Sequence, residues 1–598
     1  MKRIWLAALS LSAMTHAADP ASVEERIRQL QGGLVPPVLV RGETPALGTL
    51  AARMAELEVP GVSIAVIDGG RIEWARGFGV TRAGGPPVTA DSLFQAASIS
   101  KPVFALAVLR LADEGKLDLD ANVNDYLKSW KLPDNDFTRD SPVTLRRLLS
   151  HSAGTTVHGF PGYGIGASLP TPIQILDGAP PANTAPIRVD LRPGTQHRYS
   201  GGGYTVAQLA LADLSGQPLP AMLRELVLAP LGMDRSTYEQ PLPATRLADV
   251  ALPHDGAGKP LAEGPHTYPE MAAAGLWTTP SDLARYAIGV QRAFAGDGDT
   301  VIRARTAREM LVPVIRNHGI GPVIGGAPAR KYFTHRGSNA GYRCVLVAYT
   351  DGRGAVIMTN GDHGAELFDE ILRTIAHLYQ WPDFGPVERT LASVASPLLD
   401  RYVGAYLLND RSNLVIRNSD GRLLAQFPGG LVSEIFPSSE VEFFGRSSDL
   451  GVSFSRAADG TVNGAKFRRD GFERAGPRVD EARSRQLVEA AEIVSRRIAA
   501  QTPRPESAAA ARKFITELAS GKPDYASMGE GLAQIVRQRL PFLQKDLLDR
   551  GAFEALTFVR VGPRGEDVFD ADFERGTRRV EVSLDERGLL DRATIAPR

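Results

Sequence analysis

Strand-forming runs stand at both ends of the first 385 residues, and this placement constrains the fold of the 598-residue chain more than any other feature. Near the start, Gly61-Val62-Ser63-Ile64-Ala65-Val66-Ile67 and Arg71-Ile72-Glu73-Trp74-Ala75 flank the turn Asp68-Gly69-Gly70, a hairpin pattern. A second pair, Arg343 to Tyr349 and Gly354 to Asn360, is joined at Asp351-Gly352. Between the pairs lie a helix from about Lys101 to Glu114, apolar on every face and so expected to be buried, and a long Gly/Pro-rich stretch from Gly159 to Gly194. After them, Leu367, Ile371, Ile375 and Leu378 mark one face of a helix over Ala365 to Gln380. An antiparallel sheet built from the two ends, with a mainly helical insertion, follows: an α+β class rather than an alternating βαβ series.

Beyond Pro386 the texture changes. Short alternating runs from Tyr402 to Phe472, with turns at Asp420-Gly421, Asp459-Gly460 and Asp470-Gly471, predict a small all-β module. Helical periodicity returns after Arg478, a helix near Met528 to Leu540 is expected to break at Pro541, and the chain ends in a meander. The expected division is 1–17 signal peptide, 18–45 leader, 46–385 main domain, 390–478 β-rich module and 479–598 α+β module.

The N-terminus reads as an export signal: Lys2 and Arg3, an apolar run from Ile4 to Met14, then Thr15-His16-Ala17 as a cleavage site. That run is shorter than the roughly 20 residues a bilayer span needs, and no later stretch approaches that length. A periplasmic or secreted protein is expected. Cys344 is the single cysteine, so no internal disulfide forms, and its strand-like surroundings predict a buried structural thiol. Lys plus Arg total 68 against 68 Asp plus Glu, and this neutral balance excludes the basic footprint of a nucleic-acid-binding protein. No His-Glu-x-x-His, Cys-x-x-Cys, phosphate loop or dinucleotide fingerprint occurs, so no metal and no cofactor are expected.

The chemistry concentrates in Ser98-Ile99-Ser100-Lys101. Residues three apart share a helical face, so the Ser98 hydroxyl and the Lys101 amine can meet. Pro102 belongs in a first helical turn, which puts Ser98 near the helix N-terminus, where the dipole and unpaired N–H groups favour a nucleophile. Downstream come Tyr199-Ser200-Gly201 and then His335-Arg336-Gly337-Ser338. With these three motifs in order, and with Leu148-Leu149-Ser150-His151-Ser152-Ala153-Gly154 and Gly275-Leu276-Trp277-Thr278-Thr279 beside them, the chain resembles the serine β-lactamase and penicillin-binding-protein superfamily over roughly residues 45 to 385. It is most similar to the class C β-lactamase-like branch, which also holds esterases, D-aminopeptidases and D,D-peptidases.

The resemblance implies a β-lactamase-like fold with Ser98 as nucleophile, Lys101 as its amine partner and Tyr199 as general base or acid. It implies that His335, Gly337 and Ser338 line the substrate and oxyanion side, with backbone N–H groups of Ser98 and Ser338 as donors. Two departures bear on substrate. The family's Tyr-x-Asn is here Tyr199-Ser200-Gly201, and His335 stands where the third motif has Lys. Both lower the expectation for β-lactams and raise it for small-molecule esters, amides or D-amino peptides. The alternative is a β-lactamase, or a penicillin- or peptidoglycan-recognising protein with slow or no turnover. His151 and His158 are expected at the rim or in a structural role, and His197 is close enough in sequence to Tyr199 to line the site.

Overall fold

A computed structural model describes residues 22–597 apart from 299–300, 410–411, 428–431, 470–471 and 586. The expected signal peptide, residues 1–17, lies outside the described residues. The central sheet comprises β1 (Gly61–Asp68), β2 (Arg71–Gly79), β3 (Val323–Gly325), β4 (Tyr332–Asn339), β5 (Tyr342–Tyr349) and β6 (Gly354–Thr359). It is antiparallel throughout, in the order β2-β1-β6-β5-β4-β3, so both ends of the domain contribute to one sheet. Gly69 and Gly70 adopt positive φ (56° and 72°), the conformation a two-residue hairpin turn with matching twist requires.

Alternate residues of the middle strands feed two cores. Ala65, Ile67, Leu346, Val356 and Met358 face one layer, whereas Ile64, Val66, Val345, Val347 and Ile357 face the other. The first layer is the helical insertion, with α1 (Ser100–Asp113), α2 (Gly201–Ser215) and α3 (Pro280–Ala295). The second is α4 (Gly364–Leu378), which lays Leu367, Ile371 and Ile375 on the sheet. The segment expected as a leader packs into this second layer: helix Val23–Gly32 buries Ile27 and Leu30, and strand Val38–Val40 pairs in parallel with Val387–Arg389. A single α+β domain is the result. Of α1, only Arg110, Ala112 and Asp113 escape full burial, as its all-round apolar pattern requires.

Eight consecutive antiparallel strands between Gly404 and Pro477 follow. The first and last lie side by side, with a bridge between Tyr406 and Arg478, and a Cβ on Gly476 would sit 1.5 Å from the Leu407 carbonyl. The strands thereby close on a core of Tyr402, Tyr406, Ile416, Phe443, Phe454 and Phe467. Helix α5 (Glu481–Ala500) leads to a final unit in which α6 (Ser507–Ser520) and α7 (Glu530–Asp549) pack on a four-stranded antiparallel sheet. Helix α7 runs straight through Pro541, contrary to the expected break. Leu532 and Val536 before the proline and Leu547 after it enter one core, so packing on both sides outweighs the lost backbone hydrogen bond.

Candidate active site

Ser98 lies in a single 3₁₀ turn, Ala97–Ile99, immediately before α1, slightly upstream of the helix proper. Ala97 is held at φ 50°, an uncommon conformation for a residue with a side chain, and it points the turn toward the sheet. The sheet makes room with small residues. A Cβ on Gly337 of β4 would come within 2.3 Å of the Ala96 carbonyl, and the Cys344 thiol of β5 donates to that same carbonyl at 3.0 Å. Burial pushes the Cys344 pKa up, which keeps the thiol protonated in this supporting role.

Lys101, 2% exposed, donates from Nζ to Ser98 Oγ at 3.1 Å and to the Ala273 carbonyl at 2.8 Å. The ammonium position lies 5.0 Å from the centroid of the Tyr199 ring and 5.7 Å from that of Tyr204. Tyr199 precedes α2, which Ser200 caps by accepting the Gly203 N–H. Opposite, His335 of β4 is 6.3 Å from Tyr199, centroid to centroid. The structure thus brings Ser98, Lys101, Tyr199 and His335 to one place. Gly337 is there as backbone packing, and Ser338, two residues from Arg336 on the alternate face, is exposed, so only its main chain can serve the cleft.

Two local details account for the departures. A Cβ on Gly201 would meet the Phe160 ring at 2.9 Å and the His158 carbonyl at 3.2 Å. The aromatic ring therefore fills space that a longer side chain would need. His335 is buried; burial first, and then the nearby Lys101 charge, push its pKa down to about 3, so the ring is neutral at ordinary pH.

The sequence named His151, His158 and His197 but not that they gather with His318 beside Tyr199. His151 stacks on its ring at 4.1 Å and His158 lies at 4.9 Å. His151 Nδ1 accepts the Ser200 N–H at 3.1 Å, which places the ring proton on Nε2. His197 and His318 stack on each other at 4.1 Å, and His318 is 5.7 Å from His151. Burial lowers the pKa of all four, that of His318 to about 4. The sequence placed His151 and His158 at the rim or in a structural role and His197 close to Tyr199; only His318, from a distant loop, carried no signal. Among the described residues no group of three His, Cys, Asp or Glu is placed to hold a metal ion. A further buried group, Glu270, stands just before the short helix Met271–Ala274 that presents the Ala273 carbonyl to Lys101, without a side-chain bond to that helix. It is 0% exposed, neither carboxyl oxygen has a protein partner, and burial pushes its pKa up to about 8.

The Beta-lactamase family model matches residues 48–380, more than half of the chain and the whole of this site. The chain belongs to the Beta-lactamase family. Penicillin-binding protein 4* of Bacillus subtilis (strain 168) is 24% identical over 457 residues, covering 69% of this chain and 94% of that protein. Esterase EstB of Burkholderia gladioli is 31% identical over 221 residues, 35% of this chain and 54% of the esterase. A solved octameric penicillin-binding protein homologue from Pyrococcus abyssi is similar at a TM-score of 0.48 and 21% identity, covering 71% of this chain and 98% of that one. As a member of the Beta-lactamase family, with such relatives, the chain is a serine hydrolase. Its described residues include no helix long and apolar enough to cross a membrane.

Proposed function

We propose that this chain is an exported serine hydrolase that forms an acyl-enzyme on Ser98 and cleaves carboxylic esters, small amides or D-amino peptides. The observation that carries this is the buried Lys101 Nζ, 3.1 Å from Ser98 Oγ and anchored on its far side by the Ala273 carbonyl. In this reading the substrate carbonyl is attacked by Ser98 Oγ, whose proton passes into the Lys101–Tyr199 pair and on to the leaving alkoxide or amine. Water then gives a proton to the same pair as it attacks the acyl ester, and the pair passes that proton to Ser98 Oγ as the acid leaves. Backbone N–H groups of Ser98 and Ser338 take the oxyanion, each donor stabilising it by about 3 kcal/mol.

The substrate preference follows from what lies beyond the carbonyl. A β-lactam brings a carboxylate and an acylamino group, and the family meets them with a Lys and an Asn amide. Here the first position is a neutral imidazole and the second is a glycine backed by Phe160. An unmet hydrogen bond in a buried site costs about 1–3 kcal/mol. A simple ester needs neither contact. The second reading, β-lactam turnover or penicillin and peptidoglycan recognition, is favoured by the relative named penicillin-binding protein 4*.

Intact-mass measurement after exposure to a fluorophosphonate, a penicillin and an activated ester separates the two. We expect one fluorophosphonate adduct on Ser98, none on Ser98→Ala, and a melting midpoint nearly unchanged in that variant. Lys101→Ala and Tyr199→Phe should each lose at least about a hundredfold in ester turnover. Labelling that persists in Ser98→Ala would overturn the assignment, and a stable penicillin adduct without ester turnover would favour the second reading. Export is tested by sequencing the N-terminus of the mature protein, which should begin at Ala18.

A further inference from the structure

Arg550, the residue after α7, reaches from the C-terminal unit to the hydrolase domain. Its Nη2 donates to Glu263 Oε1 at 2.9 Å, and the same nitrogen lies 3.7 Å from Asp546 Oδ1. Glu263 passes the contact inward: its Oε2 accepts from His266 Nε2 at 3.2 Å, and His266 Nδ1 donates to the Pro161 carbonyl at 2.9 Å. Burial works against the charged ring, but Glu263 and Pro161 outweigh it, and the His266 pKa is raised. The backbone carbonyl of His266 accepts from Gln95 Nε2 at 2.7 Å. Gln95 Oε1 in turn accepts from Asn339 Nδ2 at 2.7 Å, and that nitrogen also reaches the Ala274 carbonyl at 3.2 Å.

Each of those endpoints adjoins a residue of the site. Gln95 lies three residues before Ser98, Asn339 ends the strand carrying His335, and Ala274 follows the residue that holds Lys101. Two residues beyond His266, the Tyr268 hydroxyl donates to the Pro161 carbonyl at 3.3 Å and accepts the Ala340 N–H at 3.2 Å. The segment 263–268 is therefore bound to three sides of the site, and its outer end is held by the C-terminal unit.

We propose that Arg550 is a positioning residue: through Glu263 and His266 the C-terminal unit sets the rim of the cleft and thereby the size of substrate that reaches Ser98. This rests on Ser98 being the nucleophile. An exposed ion pair contributes little to stability, so the effect should appear in substrate fit rather than in melting.

The test uses the full chain and two fluorophosphonates, small diisopropyl fluorophosphate and a long biotin-linked one, with labelling of Ser98 followed by mass. Arg550→Ala should weaken the saturation constant for the long reagent at least fivefold, while its limiting labelling rate and the rate with the small reagent stay within twofold of wild type. Arg550→Lys should fall between. In a Glu263→Gln background, which itself should weaken the constant for the long reagent, Arg550→Ala should change that constant by less than twofold, because Arg550 acts through Glu263, whereas an independent structural residue would multiply the two losses. Wild-type saturation in Arg550→Ala, equal losses with both reagents, or losses that multiply in the double variant would overturn the proposal. A wild-type protein that neither reagent labels overturns the assignment of Ser98, and this inference with it.

Discussion

Glu270 gives a sharp test of how the site region is built. Its carboxyl is fully buried, has no protein partner, and is pushed from the ordinary 4.5 up to about 8 by desolvation. Between those two values the unfolded chain has lost the proton and the folded chain keeps it. The native state then binds more protons than the unfolded one, so stability falls as pH rises through this window. At 1.36 kcal/mol per pH unit, the wild type is penalised by about 1 kcal/mol at pH 5 and about 3 kcal/mol at pH 7, levelling near 5 kcal/mol above pH 9. Glu270→Gln keeps the shape and polarity of the protonated acid and removes the titration. The variant should therefore match wild type near pH 4.5 and become progressively more stable above it.

Thermal melting of both proteins from pH 4.5 to 9 measures this, read on the transition of the hydrolase domain. A gap of several degrees at pH 7, shrinking steadily toward acid, is expected. Equal midpoints across the range, or a variant less stable at every pH, would mean that the carboxylate has a partner when ionised, and would refute the reasoning.

The remaining predictions concern the neighbours of Tyr199 and the substrate. Gly201→Asn should lower the melting midpoint by the equivalent of about 1–3 kcal/mol, because its Cβ meets Phe160, and adding Phe160→Ala should recover much of the loss; full stability in the single variant would contradict the packing. His335 has its pKa depressed from 6.5 to about 3, so its contribution is present above pH 6.5 and is lost as pH falls toward 3, about 2 kcal/mol by pH 5. His335→Asn should flatten the acid limb of stability in melting scans, and an unchanged limb would place that titration elsewhere. p-Nitrophenyl esters of short acids should show higher kcat/KM than nitrocefin, with His335→Lys narrowing the gap; nitrocefin outrunning the esters in the wild type would favour the second reading.

The parts legible in the sequence are those written in local periodicity. The turn Asp68-Gly69-Gly70, the apolar face of α4 and the all-round apolar α1 led directly to the hairpin, the outer helix and the buried helix. The spacing of Ser98 and Lys101 foretold their meeting because a helical turn fixes it. What was illegible depends on distant packing. Pro541 breaks helices by local chemistry, yet α7 continues because residues on both sides share a core. Short alternating runs foretold strands, but not that the first and last of eight would lie side by side. Phe160 behind Gly201, and His197 against His318, join loops with no pattern in common.

The electrostatics of the site then have one physical origin. Lys101 is buried, and its charge, added to desolvation, lowers the pKa of His151, His158 and His335 together. Rings that stay neutral beside a cation add hydrogen-bonding surface without repelling it, so the pocket tolerates three imidazoles around a lysine. The same neutrality leaves those rings with no fixed charge to offer an anionic substrate group. In the proposed mechanism, attack by Ser98 is common to an ester, an amide and a β-lactam; contacts beyond the carbonyl distinguish them. Beside the nucleophile those contacts are an uncharged ring and a glycine backed by phenylalanine, whereas the rim carries the continuous polar chain from Gln95 to Arg550. Discrimination by size at the rim, rather than by charge at the centre, is the arrangement these residues support.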